Sequence, residues 1–128
     1  MIDSKIPVLS IREPYATLIV EGKKDIELRN WKRRAEIKDF YIHVPTIADF
    51  RLCKEYDIIP RLPMTIIGKA RIAQVKEYKD AADFAKDYPR HYSKEFWLYK
   101  YGFVLDNIEK LDPPVYDIPG RRFFFFLK

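Results

Sequence analysis

The sequence holds a single cysteine, Cys53, and only two histidines, His43 and His91, among its 128 residues. A lone thiol excludes an internal disulfide and any cysteine-based zinc site, and it fits a reducing compartment. Two imidazoles are too few for a structural metal site, so neither a metal nor a cofactor is expected. No apolar run approaches bilayer-spanning length, and the opening MIDSKIPVLS lacks a basic start followed by an apolar stretch. Neither a membrane span nor a signal peptide is therefore expected, and the reading places the protein in the cytoplasm. Glycines number four, with no repeat, low-complexity tract or linker, so a single domain over residues 1–128 is expected. With 48% hydrophobic residues, the chain has enough apolar material for a buried core, which excludes intrinsic disorder.

What the chain has in quantity is aromatic rings and positive charge. Nine Phe and nine Tyr suit pleated strands and suit stacking on bases equally well, and composition does not separate the two uses. The net charge of +5 is unevenly placed. Between Lys23 and Lys38 stand Lys23, Lys24, Arg29, Lys32, Arg33, Arg34 and Lys38, against only Asp25, Glu27 and Glu36. Clustered charge makes a local field that attracts polyanions, although the same residues also read as a solvated charged turn.

Local patterning supplies the elements. Ile6 to Ile11 reads as an opening strand. Pro14 stands where a helix can begin, since its missing N–H is not needed in the first turn. The short helix carries Ala16, Leu18, Ile19 and Val20, and Gly22 ends it in a left-handed cap. Asp25 to Trp31 alternates, with Ile26 and Leu28 facing one way and Glu27, Arg29 and Trp31 the other. Phe40, Ile42 and Val44 alternate with Tyr41 and His43, which puts His43 on the face away from the core. Thr46 and Asp49 resemble a cap for a helix with Ile47, Phe50 and Cys53 at helical spacing.

Thr65 to Val75 reads as a long strand with a bulge at Gly68. Asp80 caps a helix through Tyr88 that buries Ala81, Phe84 and Ala85, and Ser93 starts another over Phe96 and Trp97. Tyr99 to Leu105 and Arg122 to Leu127 are closing strands, separated by Pro113-Pro114 and Pro119-Gly120. Four consecutive rings at Phe123 to Phe126 would invite aggregation on an edge, so that last strand is expected to be buried on both faces. About six strands and three or four short helices, not alternating regularly, predict a mainly β (α+β) fold. The expected form is a small mixed β-barrel with flanking helices.

The stretch LSIREPYATLIVEGKKDIELRNW, Leu9 to Trp31, resembles the opening of ASCH domains. It has a strand, Pro14 followed by the aromatic Tyr15, a helix, Gly22-Lys23-Lys24, and the strand with Glu27-Leu28-Arg29. FYIHV, IIGKARIAQV, YGFVL and the final strand are similar to later pieces of the family. The resemblance implies a PUA-like barrel with a basic cleft where the first helix meets the following strand. Its partner would be RNA, a single-stranded nucleic acid or a nucleotide-like ligand.

Within that frame Lys24 and Arg29 are placed to meet a phosphate or base edge, with Glu27 accepting hydrogen bonds from a base or orienting Lys24. The alternative is an ordinary surface ion pair. Arg12 would reinforce an anion site at the helix N-terminus, and Tyr15 would either stack on a base or pack against the barrel. Trp31 is a stacking platform or a core residue. Lys23 belongs to the same basic run, and Lys32, Arg33 and Arg34 suit backbone phosphates. Arg121 and Arg122 either extend that surface or are turn residues. His43 is a candidate acid or base, or a hydrogen-bonded residue without a chemical task.

Three classes of activity stand open. The first is an RNA- or nucleotide-binding domain. The second is an enzyme, in which Lys24 and Glu27 would be the catalytic pair of a ribonuclease. The acetylcytidine amidohydrolases of the family have a Lys, a Thr nucleophile three residues on and an Arg two beyond. Lys24 and Arg29 fit that pattern, but Glu27 occupies the Thr position, so the cleft carries over and that activity does not. Ser10, Thr17 and Thr65 have no base at motif spacing and are not expected to be nucleophiles. The third class is a protein-interaction module with a protein partner.

Overall fold

The computed structural model describes residues 2–33 and 36–127. In chain order it contains β1 (Val8–Ser10), α1 (Tyr15–Val20), β2 (Ile26–Arg29), β3 (Asp39–Val44), α2 (Phe50–Glu55) and β4 (Thr65–Glu77). There follow α3 (Ala81–Lys86), α4 (Tyr88–His91), a 3-10 turn at Phe96–Leu98, β5 (Tyr101–Val115) and β6 (Phe124–Phe125). The strands make one half-barrel sheet in the order β2-β5-β4-β3-β1-β6. β1 runs parallel to β3 and every other pairing is antiparallel, so the sheet is mixed as expected.

The first helix is held by a residue the sequence reading passed over. Pro14 has no side-chain polar group with which to cap α1. The buried Glu13 does this instead, accepting from the Thr17 N–H at 2.7 Å and the Thr17 hydroxyl at 2.5 Å. Glu13 also accepts the Arg61 N–H at 2.8 Å, tying the helix to the loop before β4. Gly22 ends the helix with φ +79°, as expected for a left-handed cap. The Lys23 and Lys24 N–H groups then both donate to the Leu18 carbonyl, so the chain turns tightly into β2. At Gly68 a Cβ would come within 2.6 Å of Val20 Cγ1, so glycine lets α1 lie close to the sheet. The expected irregularity is there too, because the β4–β5 register shifts between Ile66 and Gly68.

The main core lies between α1 and the sheet, with Leu9, Ile19, Phe40, Ile42, Ile67 and Phe103 at its centre. A second cluster of Val8, Tyr41, Ile66 and Phe125 covers the opposite face of β3. Tyr41 and His43 are therefore buried, and the outward face expected for them does not exist. The physical cause is the segment after β5, whose Ile118 N–H donates to the Met64 carbonyl and which folds back over that face.

Other expectations need correction. β6 is an edge strand, with Phe123 and Phe126 about half exposed and only Phe125 buried. Its two-residue length is what limits the open edge. β5 does not stop near Leu105; it continues through Pro113 and Pro114 to Val115. α2 is capped by Asp49, which accepts from the Leu52 N–H at 3.0 Å, but Ile47 and Phe50 are exposed and only Cys53 packs inward. Asp80 caps α3 as expected, yet only Phe84 of the anticipated trio is buried, and Trp97 stays exposed.

Candidate functional site

The turn after α1 and the strand β2 place three charged side chains together. Lys24 is 1% exposed, and its ammonium donates to the carbonyls of Ile26 at 2.5 Å and His91 at 2.8 Å. Glu27 Oε1 lies 3.6 Å from the same nitrogen, so the ammonium makes two backbone hydrogen bonds and one longer ion pair. On its other side Glu27 takes Arg29, with Nη2 at 2.8 Å and Nε at 3.1 Å from Oε2. Arg29 Nη2 also donates to the Ser10 carbonyl at 2.9 Å, linking β2 to β1. One buried carboxylate thus lies between two cations. This is not a surface ion pair.

Burial strips water from the Lys24 ammonium and pushes its pKa down to about 8, with Glu27 opposing the fall. Tyr15, whose ring lies 4.9 Å from the Lys24 nitrogen, has its phenol pKa raised, first by burial and then by Tyr99 and Glu27. Burial raises Tyr99 in the same way, with Glu27 next. Both phenols therefore stay neutral and can act as donors.

These groups open onto a cleft of about 650 Å³. Its walls are Ser10, Arg12, Tyr15, Lys24, Glu27, Leu28, Arg29, Pro45, Ile47, His91, Ser93, Tyr99 and Arg122. Arg12, Tyr15, Lys24, Glu27 and Arg29 meet there as expected, and Arg122, read as an extension of the surface or a turn residue, joins them. Arg12 lies at the exposed rim, not on a vacant helix end, because the carboxylate of Glu13 already occupies the N-terminus of α1. Lys23 points to solvent 3.6 Å from Glu21 and is not part of the wall. Trp31 and Lys32 line a neighbouring hollow, and Arg33 donates to the Ile37 carbonyl at 2.7 Å. Arg34 lies outside the described residues.

His43 does not reach the cleft. It is fully buried, with Nε2 donating to the Ile118 carbonyl at 2.6 Å. That bond fixes the tautomer of the neutral ring, so Nδ1 accepts from the Ser10 hydroxyl at 2.8 Å. Burial lowers the His43 pKa and the Ile118 bond partly offsets this. Ser10, judged to lack a base, therefore has one; the partner comes from β3, thirty-three residues away, and no local spacing reveals it. A Cβ at Gly120 would sit 2.9 Å from the His43 ring and 3.0 Å from the Ser10 oxygen, so only glycine passes this closely.

Ser93, Tyr99 and His91 were also missed, because they come from the last residue of α4 and the irregular stretch that follows it. His91 donates from Nε2 to the Phe84 carbonyl at 2.8 Å and accepts the Ser93 N–H at Nδ1, which keeps it neutral. Its backbone carbonyl, not its ring, holds Lys24. Among the described residues no group of three or more His, Cys, Asp or Glu is placed to hold a metal ion, and no helix is long and apolar enough to cross a membrane.

Fold and cleft together define a half-barrel with a charged pocket beside its first helix. The model of the ASCH domain matches residues 9–112, and the chain belongs to that family. A search of curated proteins returned no match. The chain is similar in structure to an ASCH protein from Zymomonas mobilis, with TM-score 0.68 and 16% identity over 98% of this chain and 90% of that one. A serine-to-alanine variant of that protein gives TM-score 0.69 at 16% identity, covering 100% of this chain and 92% of the other. A tyrosine-to-phenylalanine variant gives 0.69 at 15%, covering 97% and 91%. At such identities the likeness speaks for the fold alone.

Proposed function

We propose that the chain acts as one ASCH domain that binds RNA or a nucleotide in the cleft between α1 and β2. The observation that carries this reading is the composition of the cleft wall. Arg12, Lys24, Arg29 and Arg122 contribute four cations against the single carboxylate of Glu27, and Tyr15 and Tyr99 contribute two neutral phenol rings. Cations suit phosphate, and rings suit the face of a base. Association of the ASCH family with RNA binding supports the same reading. Lys24 gives two of its protons to backbone carbonyls and pairs with Glu27, so its part is to hold Glu27 and the turn in place and to add positive potential. Arg29, Arg12 and Arg122 are the groups available to a phosphate.

The test is equilibrium binding of a labelled single-stranded RNA by fluorescence anisotropy across a salt series. Affinity is expected to fall steeply between about 50 and 200 mM salt, and Arg12→Ala and Arg122→Ala are each expected to flatten the salt slope by about one. Absence of binding at the lowest salt would remove the proposal.

One observation favours a second reading, that the site is hydrolytic. Ser10 lines the cleft and donates its proton to a neutral, oriented His43, which is the arrangement an activated serine needs. In this form Ser10, and not the Lys24–Glu27 pair, would be the nucleophile. Adduct formation at Ser10 with a fluorophosphonate, lost in His43→Ala, would support it. An unlabelled protein would leave the binding reading alone.

A further inference from the structure

We propose that single-stranded RNA occupies two adjoining places on this domain: one nucleotide in the cleft, and the next base on an aromatic platform made by Phe123 and Trp31. The proposal rests on the nucleotide reading of the cleft and adds a polymeric, unpaired ligand to it.

The first observation is conformational. Phe123 has φ +58°, a left-handed backbone that bulky residues rarely adopt, and its side chain is 51% exposed. Both features cost free energy and neither serves the core. The ring is nonetheless fixed, meeting Trp31 edge-on at 5.1 Å and 81°. Trp31 is in turn anchored on Phe103 at 5.6 Å. A strained backbone therefore presents a positioned ring to solvent.

The second observation is continuity. Phe123 and Trp31 line a hollow of about 500 Å³ with Lys32, Ile37, Phe124 and Phe126. Each of the two rings carries an arginine that belongs to the cleft. Arg122 lies 5.4 Å from the Phe123 ring, and Arg29 lies 5.8 Å from the Trp31 ring. Cleft and hollow thus share a ridge of two arginine–aromatic pairs. The hollow's wall is apolar apart from Lys32 and has no carboxylate. A flat ring joined to an anion fits that chemistry, with the base on Phe123 and the linking phosphate between Arg29 and Arg122. Stacking of this kind tolerates any base, because each has a π-face.

The experiment uses Trp97→Phe as background, so that Trp31 alone provides indole fluorescence. Uridine 5′-monophosphate and a hexauridylate are titrated at one low salt concentration. The hexamer is expected to bind at least about tenfold more tightly and to quench Trp31. Phe123→Ala is expected to lose most of that advantage and leave mononucleotide affinity unchanged; Phe123→Tyr is expected to keep it. Mononucleotide binding with no hexamer advantage, or an advantage that survives Phe123→Ala, overturns the platform and leaves the cleft reading standing. Failure of both ligands to bind overturns the cleft reading and the platform with it, and leaves the hollow to a protein partner.

Discussion

A lysine buried among two carbonyls and one carboxylate should leave its mark on stability as pH changes. Lys24 titrates near 10.5 in an unfolded chain and near 8 in the fold. Below pH 8 both states carry the proton, and the folded state bears the full cost of burying it. Between about pH 8 and 10.5 the unfolded chain keeps the proton and the folded chain releases it, so stability rises with pH across that window. The difference corresponds to about 3 kcal/mol. Tyr15 and Tyr78, whose phenols burial holds protonated, act in the opposite direction above pH 10, so the comparison must be differential. Urea denaturation of the native chain and of Lys24→Met would be run from pH 7 to 10. The native chain is expected to gain stability relative to Lys24→Met as pH rises. Parallel pH curves for the two proteins would show that Lys24 is not a buried cation, and the description of the site would fail with it.

Two further outcomes follow from the same contacts. Glu13→Ala removes three hydrogen bonds to a buried carboxylate and should cost about 3 kcal/mol or more in urea denaturation; a loss under about 1 kcal/mol would mean that Glu13 does not pin α1. Burial lowers the pKa of both His43 and His91, so the unfolded chain takes up protons first as pH falls below 6.5. Thermal stability should therefore decline from pH 7 to 5 and decline less in His43→Asn, and an equal decline in both proteins would contradict the assignment.

Much of the site was legible because it is local. Gly22, Lys24, Glu27 and Arg29 lie within eight residues, and a helix end followed by a strand is enough to bring them together. The burial of Lys24 was not legible, since its acceptor at His91 comes from the far side of the chain. The Ser10–His43 pair was hidden for the same reason: it is made by parallel pairing of β1 with β3. Strand periodicity correctly found β1 to β4. It failed for Tyr41, His43 and the closing strand, where the segment after β5 covers a face that alternation alone assigns to solvent. The same segment carries Arg122 to the cleft and Phe123 to its neighbour, so the part least readable from pattern is the part that completes the candidate surface.

The central claim is that nucleic acid lies in the cleft beside α1. Photo-crosslinking of a 4-thiouridine-substituted single-stranded RNA, with adducts mapped by mass spectrometry, tests it most directly. Adducts are expected on Tyr15 or Tyr99, the two phenols of the cleft wall. Adducts confined to the β4–β5 pair around Lys69 and Lys110 would place the RNA on another face and contradict the account.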